Sequence, residues 1–322
     1  MKFFIYLLPL FAGAIEPVLI KSEGYQFDPF VIYSPNHKYY ALVTYGTGNS
    51  EFVPFDQFIL KDNSNRIIYT KANFNHTVVD ISDNGWVMGA DFDGPISGKA
   101  ILHFYDSKGV KHNTAEIGFF NQRAYSTDGS VYCVLDGLNG LRVFKADGTP
   151  LYNLGKGNTF AVSDDGSYIA LALDEEIVLF FRGSQWGRIP VISPFIRKIK
   201  FSPDNSILCF IDRKNLYVYG VSDRQLIIRY EEKKSERNFI SLDIARDNKT
   251  IIAGLDEDFG RNSGARHKKG YVYLFNINDG LIWHTGLNYD NWDITIPEVK
   301  FIDHSTFIVR TNSEVLRYSY TH

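Results

Sequence analysis

The sequence predicts an all-β protein, and within that class a seven-bladed β-propeller with four-stranded antiparallel blades. Three observations predict it. A unit of about 45 residues recurs along the chain, which is the spacing of propeller repeats. Each copy contains short apolar stretches separated by polar turns. Aromatic residues, mostly Tyr and Phe, make up 15% of the chain, and such a composition suits strands.

The first strand of each repeat ends in a turn rich in Ser, Asp, Asn and Gly. Ser and Asp side chains can accept hydrogen bonds from nearby backbone N–H groups, and Gly or Asn tolerates a positive φ. The chain can therefore reverse at this turn between strands a and b of a blade. The turns begin at Ser34, Ser82, Ser126, Ser163 and Ser202, with weaker copies at Ala245 and Ile302.

The two ends of the chain complete each other. The last repeat has strands near residues 306–310 and 315–320 and then lacks its fourth strand. The apolar residues 17–21 belong to no blade of their own, so we expect them to form the missing outer strand of blade seven. This N-terminal strand closes the last blade and covers an edge that would otherwise be open to aggregation.

The clearest repeat also carries a family resemblance. Residues 201–220, with a Phe-Ser-Pro-Asp-Asn-Ser turn and an Asn-Leu-Tyr-Val-Tyr-Gly strand, resemble the Ser-Pro-Asp-Gly repeats of WD40-like and TolB-like bacterial propellers. The resemblance covers all seven units and implies the fold rather than a ligand. The chain departs from WD40 blades in its dipeptides, since Trp292-Asp293 lies before strand a of the last blade instead of ending a strand c.

The N-terminus has the features of a signal peptide. Lys2 is followed by an apolar run over residues 3–11 and by Ala12-Gly13-Ala14, an A-x-A cleavage site. We expect cleavage after Ala14, which leaves residues 15–322 as a single propeller domain in a secreted or periplasmic protein. The run is shorter than the roughly 20 apolar residues that span a bilayer, so no membrane span is expected in the mature chain.

Charge and cysteine content narrow the partners. The net charge is −3 and the cationic residues are scattered, whereas a nucleic-acid partner would require a basic stripe. Cys133 and Cys209 lie in the middle of strands in repeats that are not neighbours. We interpret them as small buried hydrophobic residues rather than as a disulfide.

Long loops indicate where function lies, because propellers bind through loops grafted on a constant scaffold. Three b–c loops, residues 45–57, 91–99 and 256–270, are longer than the fold requires, and so is the d–a connection 286–297. They belong to blades one, two, six and seven, which are consecutive around a ring, so we expect them to converge on one side of one face. Neutral drift of surface loops is the alternative.

The side chains of these loops suit polar recognition with aromatic anchors. Tyr and Trp could stack on a sugar or anchor a partner protein, and Arg shares this role at interfaces. For Trp292, packing beneath its own loop remains the alternative. The candidate binding residues of these loops are Arg261, Arg266, His267, Tyr289, Trp292, Asp91 and Asp93.

A second candidate site lies on strands a. Polar residues alternate there with apolar ones, and this period of two would turn Lys200, Asp243 and Lys300 toward the propeller axis. Charges are costly to bury unpaired. Either Asp243 bridges the two lysines, or the lysines hold an anion.

The motifs of common enzymes are missing. No His pair has HxH or HExxH spacing, and there is no G-x-S-x-G, P-loop or G-x-G-x-x-G. Calcium needs 6–8 oxygen ligands, more than Asp91 and Asp93 supply, so no metal or cofactor is expected. The sequence favours a binding or scaffold module for an envelope or extracellular protein, or a glycan. The alternative is a glycan- or ester-directed hydrolase or lyase using the loop carboxylates and His267.

Overall fold

The computed structural model describes residues 17–24, 31–45, 55–92, 98–191, 193, 195–257, 269–287, 297–311 and 314–320. In these residues all regular structure is β, and the strands form seven four-stranded sheets. Every pair of neighbouring strands in a sheet is antiparallel. The chain divides into two compact units. One unit comprises residues 26–231 and contains five sheets, and the other comprises residues 1–25 and 232–322 and contains two sheets.

In the five-sheet unit, each sheet follows the order of its strands in the chain, so each is an up-and-down blade with strands a to d. Blade one consists of β2 (Val31–Tyr33), β3 (Tyr39–Tyr45), β4 (Phe55–Asp62) and β5 (Ile67–Ala72). Blade two consists of β6 (Val78–Ile81), β7 (Val87–Phe92), β8 (Lys99–Tyr105) and β9 (Lys111–Gly118). Blade three consists of β10 (Phe120–Tyr125), β11 (Val131–Asp136), β12 (Gly140–Lys145) and β13 (Pro150–Asn153). Blade four consists of β14 (Thr159–Val162), β15 (Tyr168–Ala172), β16 (Glu176–Phe181) and β17 (Ser184–Pro190). Blade five consists of β18 (Lys198–Phe201), β19 (Ile207–Ile211), β20 (Asn215–Gly220) and β21 (Leu226–Glu231).

The two-sheet unit contains blades six and seven. In blade seven the sheet order is β1-β28-β27-β26, so the N-terminal strand is the outer strand, as predicted. Leu19 pairs with Tyr318 and Lys21 with Arg317, with an irregularity of register between the two pairs. The strands of blade six are β22 (Arg237–Ile244), β23 (Thr250–Glu257), β24 (Lys269–Asn276) and β25 (Gly280–Leu287). Those of blade seven are β26 (Glu298–Phe301), β27 (Thr306–Arg310), β28 (Glu314–Ser319) and β1 (Val18–Gly24).

The a–b turns use the chemistry that the sequence predicts. In blade five the buried Ser202 hydroxyl accepts the Ile207 amide at 3.0 Å and donates to Asp204 at 2.7 Å. Asn205 completes the turn with a φ of 61°. Oγ atoms of Ser34, Ser82, Ser126 and Ser163 accept an amide in the same way.

The core lies between consecutive blades. One cluster joins Phe58 of blade one to Val87 of blade two, and another joins Phe104 of blade two to Tyr132 of blade three. Both cysteines are buried and free, as expected. Because each layer is shared by two blades only, the scaffold positions loops blade by blade, as in other repeat proteins.

Candidate functional site

The described connections of blades two and three present two exposed apolar side chains. We call the end of the blades that carries the d–a and b–c connections the upper end. Phe119 lies there in the d–a link between β9 and β10, and Leu138 in the b–c turn between β11 and β12. Phe119 is 60% exposed and Leu138 is 64% exposed. The ring centroid of Phe119 is 6.3 Å from that of Phe92, at the end of β7. Phe119 and Leu138, with Phe92 beside Phe119, form what we call the apolar patch.

A buried carboxylate holds the patch in place. Asp136 Oδ1 accepts the amides of Gly118 at 3.0 Å and Leu138 at 2.9 Å. In return the Phe119 carbonyl accepts the amide of Gly137 at 2.9 Å. A Cβ on Gly118 would meet Leu138 Cγ at 2.7 Å, so glycine is needed for this close packing. The apolar side chains are therefore exposed on a fixed backbone.

A recess of about 470 Å³ adjoins the patch, between blades three and four. Phe119 and Asp136 contribute to one wall, and Lys156, Asn158 and Asp174 contribute polar groups. Asn158 donates to Asp174 at 2.9 Å. The patch thus has a concave, polar border.

Blade two contains a cluster of two histidines and an aspartate close to the same end. His76 precedes β6, Asp91 lies near the end of β7, and His103 lies in β8 opposite Gly89. The imidazole rings stack with centroids 4.7 Å apart. His103 Nε2 is 2.8 Å from Asp91 Oδ2. One ligand atom from each of the three residues lies within 4.8 Å of the others, and we call them the histidine–aspartate cluster.

Hydrogen bonds fix the tautomer of His76. Its Nδ1 contacts Asp91 Oδ1, and because an ionised carboxylate only accepts, Nδ1 carries the proton. Nε2 is then the acceptor for the Tyr105 hydroxyl, at 2.7 Å. Lys71 Nζ lies 4.0 Å from the Tyr105 ring centroid. His103 differs, because its Nε2 lies 2.8 Å from Asp91 Oδ2 but, among the described residues, neither of its buried ring nitrogens has a partner in hydrogen-bond geometry.

The environment favours a neutral His76 beside a charged Asp91. Burial lowers the pKa of His76 and outweighs the opposing effect of Asp91. Burial would raise the pKa of Asp91, but its contacts with His103 and His76 prevail and lower that pKa to about 2. Burial, with the nearby charge of Asp91, raises the pKa of Tyr105 to about 12. At neutral pH His76 is therefore a neutral imidazole and Asp91 a carboxylate, which are the forms that bind metals.

Most of the predicted loop residues cannot be placed in this geometry. Asp91 lies in the histidine–aspartate cluster. Arg261, Arg266, His267, Tyr289, Trp292 and Asp93 lie outside the described residues, as does the predicted signal peptide 1–14. Their role in binding, and the hydrolase alternative that uses His267, therefore stay predictions.

The predicted strand-a residues are described, one in the five-sheet unit and two in the other. Lys200 lies on β18 between the buried Ile199 and Phe201. Asp243 is buried on β22, and its Oδ2 accepts the amide of Phe301, the residue after Lys300, at 2.7 Å. Asp243 thus joins blades six and seven through the main chain. Whether Asp243 bridges Lys200 and Lys300 or the two lysines hold an anion stays a prediction.

Sequence reasoning did not find His76, His103 or Tyr105. The three are 27 and 2 residues apart in order, so no short motif contains them. The pairing register of β7 and β8 could have indicated that His76 and His103 lie close together, because Gly89 lies opposite His103 and leaves room for the ring of His76. Phe119 and Leu138 were missed because they lie in short connections, whereas the sequence predicts binding residues in long loops.

Comparison with known proteins gives the fold. No protein-family model matches the chain, and no curated protein matches it in sequence. It is similar to Hsv2 of Kluyvelomyces marxianus, with a TM-score of 0.63 at 10% identity over 92% of this chain and 90% of that one. It is also similar to KlHsv2 with loop 6CD replaced by a Gly-Ser linker, with a TM-score of 0.65 at 8% identity over 91% of this chain and 96% of that one. For the C-terminal WD40 domain of Sif2 the TM-score is 0.61 at 10% identity, over 92% of this chain and 84% of that one.

These similarities and the seven sheets confirm the predicted fold, a seven-bladed β-propeller. The more specific resemblance to TolB-like bacterial propellers stays a prediction. Within the described residues, no helix is long and apolar enough to cross a membrane.

Proposed function

We propose that the protein is a binding module that holds a segment of a partner protein on the apolar patch at the upper end of blades two and three. The observation that carries the proposal is the exposure of Phe119 and Leu138, at 60% and 64%, on a backbone that the buried Asp136 fixes. Large apolar side chains exposed together and rimmed by polar groups are typical of interaction sites.

The fixed backbone favours binding energetically. Association has to offset the loss of freedom of loops and side chains that become ordered at an interface. Here the amides of Gly118 and Leu138 are already bonded to one carboxylate, so little backbone ordering remains. An aromatic anchor such as Phe119 contributes strongly when a partner excludes water around it.

The chemistry of the patch favours a protein over a glycan. Sugar recognition relies on planar rings and on hydrogen-bonding side chains; the patch has the rings of Phe119 and Phe92, but the exposed Leu138 adds a branched aliphatic surface that suits an apolar side chain of a peptide. Lys156 and Asp174 beside the recess supply one cation and one anion, a suitable rim for a mixed peptide surface. Arg261 and Trp292, in the long loops predicted for blades six and seven, stay candidate binding residues from the sequence.

The proposal is tested by affinity capture with the protein carrying a C-terminal peptide tag. The test variant replaces Phe119 and Leu138 by Ala. The control variant replaces Leu226 and Ile227 by Ala, since these side chains on β21 are also exposed, at 48% and 44%. A partner captured by the parent and the control is then purified, and its affinity for all three proteins is measured.

We expect the test variant to bind at least about tenfold more weakly than the parent, which corresponds to a loss of about 1.4 kcal/mol, and the control to bind like the parent. Equal binding of a purified partner by all three proteins would remove the patch from the site. In that case a variant with Arg261, Arg266, His267 and Trp292 changed to Ala tests the loops of blades six and seven.

We also propose that binding takes place outside the cytoplasm, in the periplasm or after secretion, with an envelope or extracellular protein as partner. The support is the sequence of Lys2, the apolar run 3–11 and the A-x-A site. Mass spectrometry of the protein purified from its native cells tests this. A mature N-terminus at Ile15 supports export, and a retained residue 2 contradicts it.

A further inference from the structure

We propose that the histidine–aspartate cluster of His76, Asp91 and His103 is a binding site for a divalent transition metal ion, with zinc as the ion that best suits it. This inference is independent of the proposed function, since it concerns the side chains inside blade two rather than the apolar patch.

The spacing of the ligand atoms suits a small ion. Zinc binds imidazole nitrogen and carboxylate oxygen at about 2.0–2.2 Å, so ligand atoms in a tetrahedral site are about 3.4 Å apart. In the cluster, Nε2 of His103 and Oδ2 of Asp91 are 2.8 Å apart, and one ligand atom from each of the three residues lies within 4.8 Å of the others. These distances bracket the value for a tetrahedral site, so small side-chain rotations can bring the atoms to it.

The types of ligand select the ion. Two imidazoles and one carboxylate suit zinc and related transition metals, whereas calcium and magnesium require oxygen ligands. Asp91 retains 39% of its side-chain exposure, and the side chains of His76 and His103 are 4% and 12% exposed. The ion would thus have three protein ligands and a fourth position toward solvent on the Asp91 side, which is the arrangement of open zinc sites.

His103 supplies an independent reason. Among the described residues, its buried Nδ1 has no partner and its buried Nε2 has only the Asp91 carboxylate, at 2.8 Å and outside hydrogen-bond geometry, and unsatisfied buried polar atoms are rare in folded proteins. Nε2, which faces Asp91, gains a strong partner when it coordinates an ion. Coordination would therefore give Nε2 the partner that the described residues do not supply in hydrogen-bond geometry.

Tyr105 is a positioning residue for this site. Its hydroxyl is 2.7 Å from Nε2 of His76. When Nδ1 coordinates the ion, the imidazole proton moves from Nδ1 to Nε2 and the ring remains neutral, so no proton is released. The hydroxyl then accepts a hydrogen bond from Nε2, and this outer partner fixes the ring orientation, as is usual for metal-binding histidines.

Zinc binding is measured on the full chain, purified without a polyhistidine tag and freed of metal by a chelator, by calorimetry and by competition with a chromogenic chelator. The test variants are Asp91→Asn and His103→Ala, with Tyr105→Phe for the positioning role. The control is His112→Ala, because His112 forms an ordinary pair with Asp106 at 3.1 Å in the same blade. Thermal unfolding without metal establishes that each variant is folded.

We expect one zinc ion per chain. The affinity should fall more than about 100-fold in the two ligand variants and about 10–100-fold in Tyr105→Phe, the range for loss of an outer partner, with no change in His112→Ala. In the parent, zinc should shift the ring resonances of two of the eight histidines, a result that does not depend on any variant. Absence of zinc binding by the folded parent, or equal affinity of ligand variants and control, would overturn the proposal.

Discussion

At the scale of single residues, Gly89 shows how the interior of blade two is shaped around His76. A Cβ on Gly89 would lie 2.2 Å from Cδ2 and 2.6 Å from Cγ of the imidazole ring. Gly89 has no unusual positive φ, so its role is to leave space rather than to permit a turn. The glycine therefore determines where the ring lies and, through it, the geometry of the histidine–aspartate cluster.

Replacement of Gly89 by Ala should destabilise the protein by about 1–3 kcal/mol, the usual cost of overpacking a core. Urea unfolding at neutral pH measures this difference. The reference is Gly286→Ala, because a Cβ there would lie no closer than 3.3 Å to its nearest neighbour, the ring of Tyr271. We expect a clearly smaller effect at that position.

A double-mutant cycle separates this steric effect from an intrinsic preference for glycine in β7. If the clash with His76 is the cause, Gly89→Ala should cost little in a His76→Ala background, because the ring is gone. The same cost in both backgrounds would contradict the steric explanation.

At the scale of elements, the a–b turns of the five-sheet unit are the most regular feature. In blade five Asp204 accepts the hydroxyls of Ser202 and Ser206 at 2.7 Å and the amide of Ser206 at 2.9 Å. Burial would raise the pKa of Asp204, but these hydrogen bonds prevail and lower it. Blade two has Asn84 in the equivalent place, where Ser82 donates to it at 2.5 Å.

The lowered pKa of Asp204 predicts an acid dependence that an Asn in its place, as in blade two, would remove. A carboxyl whose folded-state pKa is lowered contributes stability above its unfolded pKa, and this contribution is lost as the pH falls from about 4 toward the lowered value. Asp204→Asn should weaken this loss, while stability at neutral pH changes by less than about 1 kcal/mol because Asn keeps the acceptor oxygen.

The same change in blade four, Asp165→Asn, should act alike, because burial would raise the pKa of Asp165 but its hydrogen bonds with Ser163 and Ser167 prevail and lower it. Urea unfolding of the three proteins at pH 7 and pH 3 measures both effects. Identical differences between the two pH values in all three proteins would show that these turns do not contribute to acid sensitivity.

Elements were more predictable from the sequence than the sites were. Turns such as Ser202 to Asn205 are local, because Ser and Asp bond to main chain a few residues away, and the strands between them follow. The histidine–aspartate cluster depends on which residues of β7 and β8 lie opposite each other, and on the empty space at Gly89. Neither is visible in a short window of sequence. The exposed Phe119 and Leu138 look like any apolar residues near strands.

At the scale of the whole molecule, neighbouring blades stabilise each other through shared layers. The layer between blades six and seven includes Leu274, Phe307 and Tyr318. Tyr318 lies on β28, whose outer edge pairs with β1 over Val18–Gly24. The N-terminal strand thus protects both the hydrogen bonds of β28 and the layer behind it, and this makes the position of residues 18–24 essential to blade seven.

Removal of that strand gives the last prediction. A chain that begins at Tyr25 lacks β1, whereas a chain that begins at Ile15 lacks the predicted signal segment but keeps β1. We expect the first to unfold more than about 5 °C below the second, and to self-associate because the edge of β28 is open to strands of other copies. Scanning calorimetry and size-exclusion chromatography measure the two effects. Equal melting temperatures would show that blade seven is stable with three strands, and the pairing of β1 with β28 would then contribute little to the fold.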